Sequence, residues 1–106
     1  MKIRYTRSGG FANITTKVDL DSAELPPQRA SEIHSLVEHA RVFDKPAALP
    51  AQSPRADDLE HSLEITDGTR RHEIHRRDSQ CEPELLRLFD RLHEELNRKG
   101  RKERKV

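Results

Sequence analysis

Apolar and polar residues alternate twice near the start of the chain. Ile3 and Tyr5 share one face of Lys2 to Arg7, and Ile14, Thr16, Val18 and Leu20 alternate with Thr15, Lys17 and Asp19. A period of two is the mark of a half-buried strand. Between these runs Ser8-Gly9-Gly10 predicts a turn, because glycine reaches positive φ without steric penalty. The pair forms a hairpin with Phe11 at its tip.

Pro26 and Pro27 then open a helix, since a first-turn residue needs no amide hydrogen. Ala30, Ile33, Val37 and Ala40 form its apolar stripe, with Leu36 alongside, and the stripe ends near Arg41. Residues 44–57 carry Pro46, Pro50 and Pro54 and predict a loop. Leu59, His61, Leu63 and Ile65 alternate, Asp67-Gly68 predicts a tight type I′ turn, and His72 and Ile74 alternate again. Asp78-Ser79-Gln80-Cys81 is a short linker. Pro83 opens a last helix whose face carries Leu85, Leu88, Phe89, Leu92 and Leu96.

The order ββαββα predicts a two-layer α+β domain over residues 1–97: a four-stranded, antiparallel-rich (mixed) sheet with both helices on one face. If the connection through the first helix sets the third strand parallel to the second, the fourth runs with the first. The Gly10-Phe11 tip and the Asp78 loop then emerge at one end of the sheet. Beyond Asn97 the apolar pattern stops, and residues 98–106 are expected to be a disordered basic tail.

Composition narrows the options. A chain of 106 residues allows one domain, and 32% apolar against 37% charged residues implies a lean core. A net charge of +1 gives no global attraction for nucleic acid or membrane. Only the tail, with six Lys/Arg in the eight residues Arg98 to Lys105, offers a phosphate-binding alternative. It has no aromatic residue for base stacking, so a nucleic-acid-binding module is the second reading and nucleic acid is not the expected partner. Cys81 is alone, which removes an internal disulfide and a thiolate metal cluster. Polar sequence follows Met1-Lys2-Ile3-Arg4 with no apolar run for a signal or a span, so the expectation is a soluble, cytoplasmic chain without a membrane partner.

Enzyme chemistry finds little to stand on. A zincin helix needs His-Glu-x-x-His, and His93-Glu94-Glu95-Leu96-Asn97 lacks the second His. His72 and His75 lie on a predicted strand with side chains on opposite faces. His34 and His39 are about 140° apart around a helix. Cys81 has no announced base or oxyanion hole, and no glycine-rich phosphate loop exists. No cofactor, no metal of its own and no small-molecule substrate are expected.

Several segments, taken in order, resemble the emfourin family of protein protease inhibitors. They are Arg7-Ser8-Gly9-Gly10-Phe11-Ala12 after an Ile-x-Tyr strand, Leu25-Pro26-Pro27, Phe43-Asp44-Lys45-Pro46, the Glu64-to-His72 hairpin, and Asp78 with the Pro83-x-Leu85-Leu86-x-Leu88 helix start. The resemblance implies a non-enzymatic inhibitor of protealysin-like peptidases of the thermolysin family, whose catalytic metal is zinc; the chain itself is expected to be a monomer. It implies two neighbouring loops, one bringing an aspartate carboxylate to the enzyme's zinc and the other filling its substrate pockets with apolar side chains. On this chain Asp78 is assigned to the zinc because it sits on a short loop between a strand end and a helix. Phe11 is assigned to the pocket, with Gly9, Gly10 and Ser79 around the two. Asp57 or Asp58, with Leu49 from the proline loop, form the alternative set.

Overall fold

Strand β1 spans Lys2–Gly9 and β2 spans Thr16–Asp21, and their alternating positions bury Ile3, Tyr5, Val18 and Leu20 on one face. The structure, a computed structural model, describes residues 1–9, 15–49 and 59–103, with side chains through Glu95. Gly10, Phe11, Ile14, Asp57 and Asp58 lie outside the described residues.

Ser8 and Gly9 belong to the strand rather than to the turn that the glycine pair suggests. β1 stops pairing with β2 at Arg7, opposite Thr16, but goes on pairing with its other neighbour until Gly9 faces Leu59. Gly9 has φ 101°, a conformation that side-chain-bearing residues rarely adopt, so glycine fits where the strand leaves the sheet.

Helix α1 covers Pro27–Ala40, with Pro27 in its first turn, and ends where Arg41 adopts the left-handed conformation. It buries Ile33, Val37 and Ala40. β3 (Leu59–Asp67) and β4 (Arg70–Arg77) form the second hairpin. Its turn is not type I′. Gly68 has φ 63°, whereas Thr69 is not in the left-handed region, so only the first central residue has positive φ, as in a type II′ turn. The reason is register: Asp67 is the last strand residue, paired with Arg70, which moves Gly68 to the first central position.

Helix α2 spans Pro83–Glu103, so its backbone continues past Asn97 into the basic segment. It buries Leu85, Leu88, Phe89 and Leu92 against α1 and the inner sheet face, where Leu63, Ile65 and Ile74 complete the core. The strand order is β2-β1-β3-β4 and every neighbouring pair is antiparallel. β3 therefore runs in the direction of β2 with β1 between them, and β4 runs with β1. Gly9, Leu59 and Arg77 consequently share one end of the sheet. Among the described residues no helix is long and apolar enough to cross a membrane.

Candidate functional site

At the shared end of the sheet the chain leaves β4 through a single 3-10 turn, Asp78–Gln80, before α2 begins. The turn is tied at both ends: the Cys81 amide donates to the Asp78 carbonyl at 3.1 Å, and the Arg77 amide donates to Gln80 Oε1 at 3.0 Å. The Cys81 thiol donates to the Arg77 carbonyl at 3.3 Å, which gives the lone cysteine a structural contact. Asp78 is thus on a short loop with little slack, and its side chain is 41% exposed.

What holds that side chain comes from inside the protein. His61 is on the core-facing phase of β3, only 3% exposed, and its Nε2 meets Asp78 Oδ1. On its other side Nδ1 lies 2.6 Å from the Tyr5 hydroxyl. Arg7 Nε donates to the same hydroxyl oxygen at 2.8 Å, and Arg7 Nη2 reaches Asp90 Oδ1 on α2 at 3.1 Å. The ring of Phe89 stacks against both, 4.6 Å from His61 and 5.1 Å from Tyr5 between centroids. One apolar wall and one polar chain therefore meet beneath Asp78.

The protons in this chain can be assigned. An ionised carboxylate only accepts, so His61 Nε2 carries a proton and donates to Asp78. Burial pushes the imidazole below its ordinary value, against the opposing pull of Asp78. With the single N–H of a neutral ring on Nε2, Nδ1 is the acceptor, so Tyr5 donates to it while the phenol oxygen accepts from Arg7. Every bond runs the same way, from Arg7 through Tyr5 and His61 to Asp78.

Burial also drives the Tyr5 phenol up to about 12, over the opposing hydrogen bond from Arg7. A raised value means that the folded protein keeps the proton longer than the unfolded chain. The stabilisation is complete below the ordinary value of 10.0 and is lost as pH rises towards about 12. A displacement of that size corresponds to about 3 kcal/mol. The chain has one tyrosine and no tryptophan, so phenolate absorbance reads Tyr5 alone. The expected titration midpoint is near 12 and coincides with unfolding; a midpoint near 10 in a folded protein would contradict the burial of this hydroxyl.

Of the other residues singled out in the sequence, Gly9 ends β1 at the same end of the sheet, and Ser79 is exposed within the Asp78 turn. Leu49 arrives there by another route. The His75 amide donates to the Ala47 carbonyl at 2.8 Å, and buried Arg76 donates to the Pro46 carbonyl at 2.6 Å. These bonds lay the proline segment along the edge of β4. Leu49, 38% exposed, then borders a groove of about 440 Å³ whose walls include Ser8, Glu60, Arg77 and Gln80. The Arg77–Glu60 ion pair, 3.0 Å, crosses the same wall. Leu49 and the Asp78 turn, assigned to different sets from the sequence, are brought to one place.

His72 and His75 do point to opposite faces: His72 Nε2 lies 2.6 Å from the Lys45 carbonyl, and His75 Nδ1 lies 2.6 Å from Ser62 Oγ on the outer face. Among the described residues no three His, Cys, Asp or Glu side chains converge as a metal site would require. Tyr5 and Arg7 enter the sequence reading only through the segments that carry the resemblance, and His61 only through an alternation; none is marked there as part of a site. Their signal is chemical: a histidine and a lone tyrosine in the apolar phase of two strands, where each polar atom needs a buried partner.

No curated protein and no solved structure matches the chain. The sequence model of the Emfourin family matches residues 5–93, which takes in both hairpins, α1, the Asp78 turn and α2 as far as His93. The chain belongs to the emfourin family, a family of protease inhibitors.

Proposed function

We propose that the protein inhibits a thermolysin/protealysin-like zinc metalloprotease by directing the Asp78 carboxylate at the enzyme's zinc while apolar residues of the neighbouring loops occupy its substrate pockets. The observation that supports this reading is the state of Asp78: a partly exposed carboxylate, fixed from behind by a buried histidine, on a tight turn at the sheet end it shares with Gly9 and Leu49. A catalytic zinc keeps one position for water, and a carboxylate oxygen at about 2.0–2.2 Å can replace that water. Displacing it removes the nucleophile. A side chain at the metal also leaves the enzyme no peptide bond in the reacting position.

Phe11 is the proposed pocket anchor, with Leu49 beside it; a buried apolar side chain is the usual centre of such an interface. Asp57 and Asp58 stand as the alternative carboxylates. The protein acts as a monomer in the cytoplasm on this reading, and residues 98–106 are dispensable for inhibition.

The test is an inhibition constant against a thermolysin-family protease, with a melting curve for every variant. Asp78→Asn keeps size and polarity but loses the charge, and should weaken inhibition about tenfold or more, on the order of 1.4 kcal/mol. Phe11→Ala should do the same with the domain still folded. Removing residues 98–106 should leave the inhibition constant unchanged. If folded Asp78→Asn inhibits as well as the parent, the zinc role passes to Asp57 or Asp58.

A further inference from the structure

We propose that His61 is the positioning residue for Asp78, with Tyr5 holding its imidazole in the one tautomer that ties down Oδ1 and leaves Oδ2 for the metal. The inference rests on the zinc reading of Asp78 and adds to it two residues that an enzyme bound at the surface would never touch.

The geometry makes the tautomer decisive. A neutral imidazole has one N–H and one lone pair. With the proton on Nε2, the ring donates to Asp78 and accepts from Tyr5. With the proton on Nδ1, a lone pair on Nε2 faces a carboxylate oxygen, and the Tyr5 hydroxyl loses its acceptor. The Arg7 Nε–H works in the same direction, because it already donates to the Tyr5 oxygen and a second donor from Nδ1 would leave the hydroxyl proton without this acceptor. Stacking on Phe89 fixes the ring plane.

A partly exposed aspartate on a turn would otherwise sample several rotamers and lose that freedom on binding. Here the rotamer is set in advance from the core, by the same logic that orients metal ligands through an outer hydrogen-bond partner. His61 is built into the central sheet, paired with Arg7 on one side and Arg76 on the other, so its position is that of the fold rather than of a loop.

Three measurements test this. The first is the nitrogen spectrum of His61 in the labelled parent protein, which reports the tautomer without any protease present. The second is the inhibition constant of Tyr5→Phe and of His61→Phe against thermolysin, with melting curves. The third is the same Tyr5→Phe change on the Asp78→Asn background. The spectrum should show the proton on Nε2. Each single variant should weaken inhibition about tenfold, the lower end of the range for outer partners of metal ligands. On the Asp78→Asn background, Tyr5→Phe should have no further effect.

A proton on Nδ1 in the parent overturns the proposal, and this measurement stands even if a variant fails to fold. So does a folded Tyr5→Phe that inhibits like the parent, or one that weakens inhibition equally on both backgrounds, since that would be a general structural effect. If Asp78→Asn alone inhibits like the parent, the zinc reading fails instead, and the spectrum still decides whether the tautomer is held.

Discussion

Replacing Phe89 with alanine is expected to cost about 3–5 kcal/mol, the usual range for emptying a buried aromatic site. The ring is fully buried and stacks on both Tyr5 and His61, so its loss leaves a void against the sheet that neither neighbour can fill by moving. In a domain of this size that should lower the melting temperature by on the order of 15 °C or more. Urea melts of parent and variant give the comparison. A cost below about 1 kcal/mol would mean that α2 does not seat on β1 and β3 through this ring, and with it the wall behind His61 would go. Leu88→Ala, in the same stripe but away from the stacked rings, should cost about 2–5 kcal/mol without disturbing the tautomer of His61.

That contrast between Phe89 and Leu88 also marks how far the sequence can be read. Both fall on the helical stripe that predicts α2, and the period-two positions Ile3, Tyr5, Val18, Leu63, Ile65 and Ile74 all reach the core their alternation predicts. Burial of this kind is local and periodic, so it is legible. What is not local is not. β1 extends to Gly9 because β3 continues beside it, and β3 lies about fifty residues further along the chain. The turn after β3 changes type because Asp67 pairs with Arg70, which depends on where the register stops.

The candidate site divides in the same way. A carboxylate on a short linker between strand and helix picks out Asp78 from the sequence. His61 enters the same reading only as one member of an alternation, although its place in the apolar phase is what matters. A histidine there is costly unless both ring nitrogens are satisfied, and the satisfying groups are Tyr5 on β1 and Asp78 after β4. Neither is near it in sequence. Leu49 is likewise unreadable: Arg76 falls in the inward phase of Ile74, but nothing in the sequence says that its guanidinium will hold the Pro46 carbonyl and so set the place of Leu49.

At the contact between the helices, Glu95→Ala is expected to cost about 3 kcal/mol or more. A helical wheel puts Glu95 on the apolar stripe, seven residues after Leu88 and three after Leu92, and it is 1% exposed; what the sequence does not show is which groups meet its charge there. Arg91 Nη1 donates to its Oε1 at 2.7 Å, Arg29 Nε of α1 donates to the same oxygen at 3.2 Å, and Arg29 Nη2 reaches Oε2. Arg91 also donates to Glu32 of α1 at 2.6 Å. Burial opposes the charge on Glu95, but the hydrogen bonds from Arg29 and Arg91 outweigh it and hold the carboxyl below its ordinary value of 4.5. A lowered value places the stabilisation above that ordinary value and removes it as pH falls through the folded one, so the acid limb of the stability curve should belong in part to this group. Removing Glu95 leaves two guanidinium groups facing each other across the helix contact. Arg29 is partly exposed and can turn to water, and Arg91 keeps Glu32, which sets the cost at the lower end of what breaking a buried pair entails. Replacing Glu95 and Arg91 together by leucine should recover most of the loss, because no buried charge is then left without its partner. Denaturant melts of both variants, near neutrality and again on the acid side, separate the two contributions. A single Glu95→Ala variant as stable as the parent, with its acid limb unchanged, would show that the helices are held by their apolar stripes alone.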